Sequence, residues 1–134
     1  MMTSTRNGPD KGYGHLVSVA SVAGLSGSVR LADYCASKFA AVGLEEALRL
    51  ELHSDGYTGI KSTVVCPYFI NTGMFAGVSS SIIPIMEPTW VADEIMAAVL
   101  TNQEMLVLPK LFYTLLALKS SSMATPTLLL HIFM

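Results

Sequence analysis

Tyr34 and Lys38 stand at i and i+4 in a stretch that reads as helix, so a phenol and an ammonium leave the same face. A cation held a few ångströms from a phenol favours the phenolate, which would let Tyr34 give or take a proton near neutrality. Chemistry at an alcohol or a carbonyl is the natural use. The pair alone is a weak signal, because many solvated helices carry Tyr-x-x-x-Lys by chance. Its surroundings add to it. Upstream, residues 14–24 read as a strand that ends at Ser21 and turns at Gly24, with Ser18 the nearest competing hydroxyl. Downstream, Ser62-Thr63-Val64-Val65-Cys66-Pro67 is a second β-rich run, followed by Asn71-Thr72-Gly73.

Those residues need elements that position them. Residues 15–20 are apolar or small with two valines, which fits a strand covered on both faces of a parallel sheet. A Gly- and Ser-containing loop over 24–30 leads to a helix expected over 32–54, with Asp33 at its positive end and Asp55-Gly56 as its stop. The next strand spans 60–66, and Pro67 ends its ladder. A helix then starts near Pro88, with Trp90 read as a packing residue at its start and Val91, Ile95, Ala98 and Val99 on one face. Residues 105–108 form a short final strand. Two strands joined by a long helix make a βαβ unit, so the fold class is α/β with a parallel sheet, and ligands bind at the C-terminal strand ends.

Several faces are read on pattern. Ala36, Ala40, Gly43 and Ala47 form a smooth stripe that suits either close approach of a second helix or packing on the chain's own sheet. Glu45, Glu46, Arg49 and Glu51 read as a solvated charge face. Residues 68–87 are too apolar for an ordinary exposed loop, leaving a lid over an apolar substrate or a plain packed loop. Within it Phe69, Met74, Phe75, Ile82, Ile83 and Met86 suit a long hydrophobic alcohol. The apolar C-terminal segment, 110–134, holds a stretch at 111–119 that would be deeply buried or half sunk in lipid.

Composition narrows the classes. A chain of 134 residues, 51% hydrophobic and 13% charged, buries a real core as one domain. A net charge of −2 with scattered basic residues argues against a nucleic-acid partner. Cys35 and Cys66 lie far apart inside a helix and a strand and read as reduced core thiols, while His15, His53 and His131 share no ligand spacing, so no metal is expected. The polar opening residues lack the apolar core of a secretory signal, and no apolar run reaches membrane-spanning length, which points to the cytosolic side of the cell. Even so, mean hydropathy of +0.52 calls for hidden binding surfaces or a partner.

The order of strand, Ser, Tyr-x-x-x-Lys helix, strand, Pro and Thr resembles the short-chain dehydrogenase/reductase family. The longer runs 31–41 and 66–75 resemble its retinol dehydrogenase branch, of the epidermal retinol dehydrogenase 2 and retinol dehydrogenase 10 type, near the lipid-droplet 17β-hydroxysteroid dehydrogenases. The resemblance implies the C-terminal half of a Rossmann-like doubly wound parallel sheet, about three strands with flanking helices, as a single partial domain over 1–134. It implies an oxidoreductase moving a hydride between NAD or NADP and a lipophilic alcohol or ketone, retinol, retinal or a steroid. In that scheme Ser21, Tyr34 and Lys38 are catalytic, and Tyr34, Lys38, Pro67, Ile70 and Thr72 meet the cofactor. Many relatives carry glycine where Tyr68 stands, so this residue would narrow the pocket wall. Family dimers and tetramers commonly pair the helix bearing the small-residue stripe, which implies a homo-oligomer here. The branch further implies the cytosolic face of the endoplasmic reticulum membrane or a lipid droplet, and otherwise the cytoplasm.

One family feature is missing. The glycine-rich turn that follows a strand and opens a helix at the pyrophosphate has no counterpart, since neither Gly12-Tyr13-Gly14 nor the glycines at 24 and 27 have that context. The acidic or basic residue that chooses NAD over NADP and the asparagine of the proton relay are also absent. A lone chain is therefore expected to bind dinucleotide poorly. The alternative reading is a truncated, non-catalytic product that acts in subunit pairing or at a lipid surface.

Overall fold

The computed structural model describes residues 12–73 and 83–121. Strand β1, Gly14–Val19, leads through a 3-10 turn at Val22–Gly24 into helix α1, Ala32–Ser54. Then come β2, Ile60–Pro67; α2, Pro88–Leu100; β3, Met105–Leu108; and α3, Leu111–Ser121. The strands form one parallel sheet in the order β1-β2-β3. The α/β architecture expected from the alternation of elements is thus present as three parallel strands with flanking helices.

The middle strand carries the core. Val64, Val65 and Cys66 of β2 and Leu106, Val107 and Leu108 of β3 are at most 1% exposed. Pairing runs from Gly14↔Ile60 to Val19↔Val65 and from Val64↔Met105 to Pro67↔Leu108, so the C-terminal ends of β1, β2 and β3 lie side by side. Strand β1 lacks the cover on both faces that its apolar run suggests, and it has the open edge expected of a sheet with only part of the family's strands. It pairs on one side only, and Leu16, Val17 and Val19 are 39%, 38% and 61% exposed. Cover on both faces needs a neighbouring strand and helices that the described residues do not supply.

Helix α1 begins at Ala32 with Asp33 in its first turn and stops where Gly56 adopts φ +79°, which lacks a steric penalty only in glycine. Tyr57 N–H donates to Leu52 O and Gly56 N–H to His53 O, the paired bonds of a Schellman end. Cys35, Val42 and Glu45 face inward. Glu45 corrects the solvated reading of its neighbours: it is 3% exposed, accepts a hydrogen bond from Ser62 Oγ on β2, and has Arg49 Nε at 3.7 Å. The small stripe of Ala36, Ala40, Gly43 and Ala47 is exposed, so it does not pack on the sheet of the described residues.

Helix α2 starts at Pro88 and buries Val91 and Ala98, but Trp90 is 42% exposed and is no packing residue within the described chain. Helix α3 is neither wholly buried nor wholly bare. Phe112 is buried while Leu111 and Leu118 are exposed, and Lys119 Nζ donates to Leu25 O at 3.1 Å. The remainder of the apolar segment, 122–134, lies outside the described residues, as does His131. No described helix is long and apolar enough to cross a membrane.

Candidate active site

Ser21 emerges from the end of β1 in extended backbone, φ −171°, and caps the 3-10 turn by accepting from Ala23 N–H at 3.1 Å. Its hydroxyl donates to Pro67 O at the end of β2, but at 3.4 Å that bond is long. The serine therefore bridges two strand ends and keeps a weakly committed proton. Ser18, the competing hydroxyl, pairs opposite Val64 within β1, back from the strand end.

Tyr34 and Lys38 come from the first turns of α1. Lys38 Nζ lies over the Tyr34 ring, 5.6 Å from its centre, and reaches Val19 O at 3.5 Å, again a long contact. The ammonium thus has donors left for a ligand. Helix α1 comes close to the Ser21 turn at Gly24, and the Ser28 N–H donates to Cys35 Sγ at 3.3 Å, holding the intervening loop against the same helix. The third segment leaves β2 at Pro67. Asn71 N–H donates to Met86 O and Met86 N–H to Phe69 O, so residues 69–71 are held by a short parallel bridge between Ile70 and Met86.

These segments enclose a cavity of about 280 Å³. Ser21, Tyr34, Lys38, Pro67, Ile70 and Thr72, singled out along the sequence, all line it. Val22, Ala23, Leu31, Tyr68 and Phe69 make much of the remaining wall apolar. Ser28 and Leu31 were not legible as site residues, because a loop serine and a leucine carry no spacing signal. Of the residues expected over the substrate, Phe69 is on the wall, whereas Ile83 and Met86 are 3% and 7% exposed in the core. Met74, Phe75 and Ile82 lie outside the described residues.

Beneath the floor sits Cys66, with no exposed surface. Burial pushes its thiol up to about 11, with Glu45 adding to the rise and the Ser21 backbone and Lys38 acting against it. Cys35 is also buried, and both cysteines are unbridged.

The arrangement suits a flat ring and a small oxygen-bearing carbon. A serine, a tyrosine and a lysine line the cavity, and most of its wall is apolar. Lys38, Pro67, Ile70 and Thr72, the residues available to hold a nicotinamide, line one and the same cavity. Among the described residues, no glycine-rich turn opens a helix to seat the rest of a dinucleotide.

Comparison with known proteins agrees with this geometry. A human protein, epidermal retinol dehydrogenase 2, is 49% identical over 111 residues, covering 81% of this chain and 36% of its own length. Retinol dehydrogenase 10-B of Xenopus laevis is 43% identical over 113 residues, covering 81% of this chain and 33% of its own. The chain thus spans about a third of the length of the curated relatives it matches. A short chain dehydrogenase from Burkholderia cenocepacia, solved in complex with NADP, shares the fold at a TM-score of 0.70 and 21% identity, over 82% of this chain and 44% of that one. The family model for short chain dehydrogenases matches residues 1–82, the stretch that carries Ser21, Tyr34, Lys38 and Pro67. With the parallel sheet, this shows that the chain belongs to the short-chain dehydrogenase family.

Proposed function

We propose that this chain is the catalytic half of a dehydrogenase that interconverts a lipophilic alcohol and its carbonyl compound with NAD or NADP. Retinol and retinal come ahead of a steroid as substrates. One observation carries the reading: hydroxyl, phenol and ammonium from two separate segments line one largely apolar cavity at the sheet's C-terminal edge. The relatives' names, retinol dehydrogenases, support the substrate class.

In alcohol oxidation Tyr34 takes the hydroxyl proton of the substrate, and in the reverse direction it returns that proton to the carbonyl oxygen. Ser21 holds the same oxygen by exchanging its long bond to Pro67 O for a shorter one. Lys38 favours the charge that develops on the phenol and offers its remaining donors to the cofactor ribose. Pro67, Ile70 and Thr72 hold the nicotinamide end through backbone groups and the Thr72 hydroxyl. When bound, the nicotinamide supplies or accepts the hydride. Phe69 covers the apolar part of the substrate, and Met74, Phe75 and Ile82, which follow it in the sequence, are of a type that suits the same ligand.

The test joins this chain to the dinucleotide-binding half of epidermal retinol dehydrogenase 2 and follows cofactor absorbance with a panel of alcohols. The joined protein oxidises lipophilic alcohols, the chain alone does not, and Tyr34→Phe lowers turnover by roughly 10²- to 10⁴-fold. Turnover of small polar alcohols alone removes the substrate assignment. A folded joined protein without any turnover overturns the reading.

A second reading rests on the exposed stripe. Ala36, Ala40, Gly43 and Ala47 leave α1 smooth, and nothing lies within 4 Å of where a Cβ on residue 43 would stand, so a second copy's helix can approach closely. In this role the chain pairs as a homo-oligomer, with exposed Leu111 and Leu118 resting on a lipid surface, at the cytosolic face of the endoplasmic reticulum or a lipid droplet. Gly43→Leu separates the copies in sedimentation if the stripe is the contact, and leaves their mass unchanged if it is not.

A further inference from the structure

Ser28 and Leu31 both line the cavity, and one residue holds them both. Cys35 N–H donates to Leu31 O at 2.8 Å, and Cys35 Sγ accepts from Ser28 N–H at 3.3 Å. Val29 and Arg30, between the two wall residues, form an exposed turn. Arg30 takes φ +64° there, a conformation in which a side chain crowds the backbone. Such a turn persists only where its surroundings hold it.

Helix α1 lacks the usual fastening at this end. Its N-cap is Leu31, which offers no side-chain oxygen to the free N–H groups of the first turn. The turn's own cross-bond, Leu31 N–H on Ser28 O, is long at 3.4 Å. The Cys35 sulfur supplies the hold instead, from inside the first turn of the helix. Cys35 is 6% exposed and is not itself among the residues that line the cavity. It follows Tyr34 directly, so the wall at 28–31 and the phenol are referred to the same turn of α1. A thiol sulfur is a weak acceptor, so its loss loosens that wall without unfolding the helix.

We infer that Cys35 is a positioning residue whose sulfur and N–H fix Ser28 and Leu31 as a preformed wall of the cavity beside Tyr34, against which the alcohol binds. This deepens the dehydrogenase reading and rests on it for the identity of the ligand. Cys35 acts only through the two wall residues. A wall that is already in place saves the ligand the entropy of ordering it, so the effect falls on binding and not on proton transfer.

The test compares Cys35→Ala with Cys35→Ser, which leave nearly the same space while only the serine keeps an acceptor. In the full chain, amide exchange at Ser28, followed by NMR, is roughly three- to tenfold faster in Cys35→Ala, the scale of one modest hydrogen bond, and close to wild type in Cys35→Ser. In the joined protein, Cys35→Ala raises KM for the alcohol by roughly threefold and leaves kcat and its pH profile unchanged, as lost uniform binding does. Cys35→Ser restores KM. Should Cys35→Ala fail to fold, Cys35→Val fills the site without an acceptor and takes its place. Equal exchange in the variants with and without an acceptor, or a wild-type KM in the folded Ala or Val variant, overturns the inference. A fall in kcat at constant KM overturns it too, because the chemistry and not the wall would then have moved. Failure of the dehydrogenase reading is separate: the joined wild type would turn over nothing while exchange at Ser28 still divided Cys35→Ala from Cys35→Ser.

Discussion

Gly24 abuts the main chain of Lys38: a Cβ on residue 24 would lie 2.5 Å from the Lys38 carbonyl oxygen and 3.0 Å from Val42 Cγ2. Backbone cannot step aside as a flexible side chain can. Gly24→Ala therefore forces the 3-10 turn that carries Ser21 away from the helix that carries Lys38. The variant loses about 1–3 kcal/mol in urea unfolding, the range of overpacking in a close-packed interior. A loss below a few tenths would mean that turn and helix part without strain.

Glu45 anchors α1 to β2 from inside the protein. Its carboxylate accepts from Ser62 and lies beside Arg49, whose Nε is buried without a hydrogen-bond partner among the described residues. Glu45→Ala leaves the Ser62 hydroxyl unpaired and a cavity behind it, at a cost of about 2–4 kcal/mol. Glu45→Gln keeps an oxygen for Ser62 and costs less. Equal losses in the two variants would assign the effect to charge and not to the hydrogen bond.

Cys66 ties stability to alkaline pH. Its thiol ionises near 9.0 in an unfolded chain but only near 11 in the fold. A raised thiol value means that the neutral form is favoured when folded. The contribution is fully present below pH 9.0, falls as the unfolded state sheds its proton, and is gone by about pH 11. The slope over that window is at most about 1.4 kcal/mol per pH unit. Subtracting the pH profile of Cys66→Ala from that of wild type isolates it from other titrating groups, and matching slopes in the two proteins would refute the assignment.

Tyr113 closes the outer edge of β3. Its hydroxyl accepts from Val107 N–H at 3.0 Å and donates to Met105 O at 2.9 Å, so a side chain occupies groups that a further strand would pair. Tyr113→Phe costs about 1–2 kcal/mol and speeds amide exchange at Val107. It also promotes self-association, read by light scattering. Unaltered exchange at Val107 would show that water replaces the hydroxyl without loss.

Much of the site was legible because its signals are local. Tyr34 and Lys38 meet through helical spacing, α1 ends where Asp55-Gly56 says it should, and Pro67 closes β2. Glu45 was legible in principle, since it stands at i+3 from Val42 and i+10 from Cys35 on the inward face. Charge on its neighbours Glu46 and Arg49 drew the reading to solvent instead. The open edge of β1 was legible only through the family resemblance, because in local pattern an apolar strand looks the same whether or not its neighbours are present.

From sequence alone come the element order, the parallel α/β class and the reactive pair on α1, all of which follow from side-chain periodicity within a few turns of chain. Tertiary structure alone decided that Ser21 meets Pro67, that Phe112 stands behind Tyr68, and that Lys119 ties α3 to the loop after Ser21. Those contacts join residues far apart along the chain. They depend on the register of parallel strands and on how closely helices seat, which local pattern does not encode.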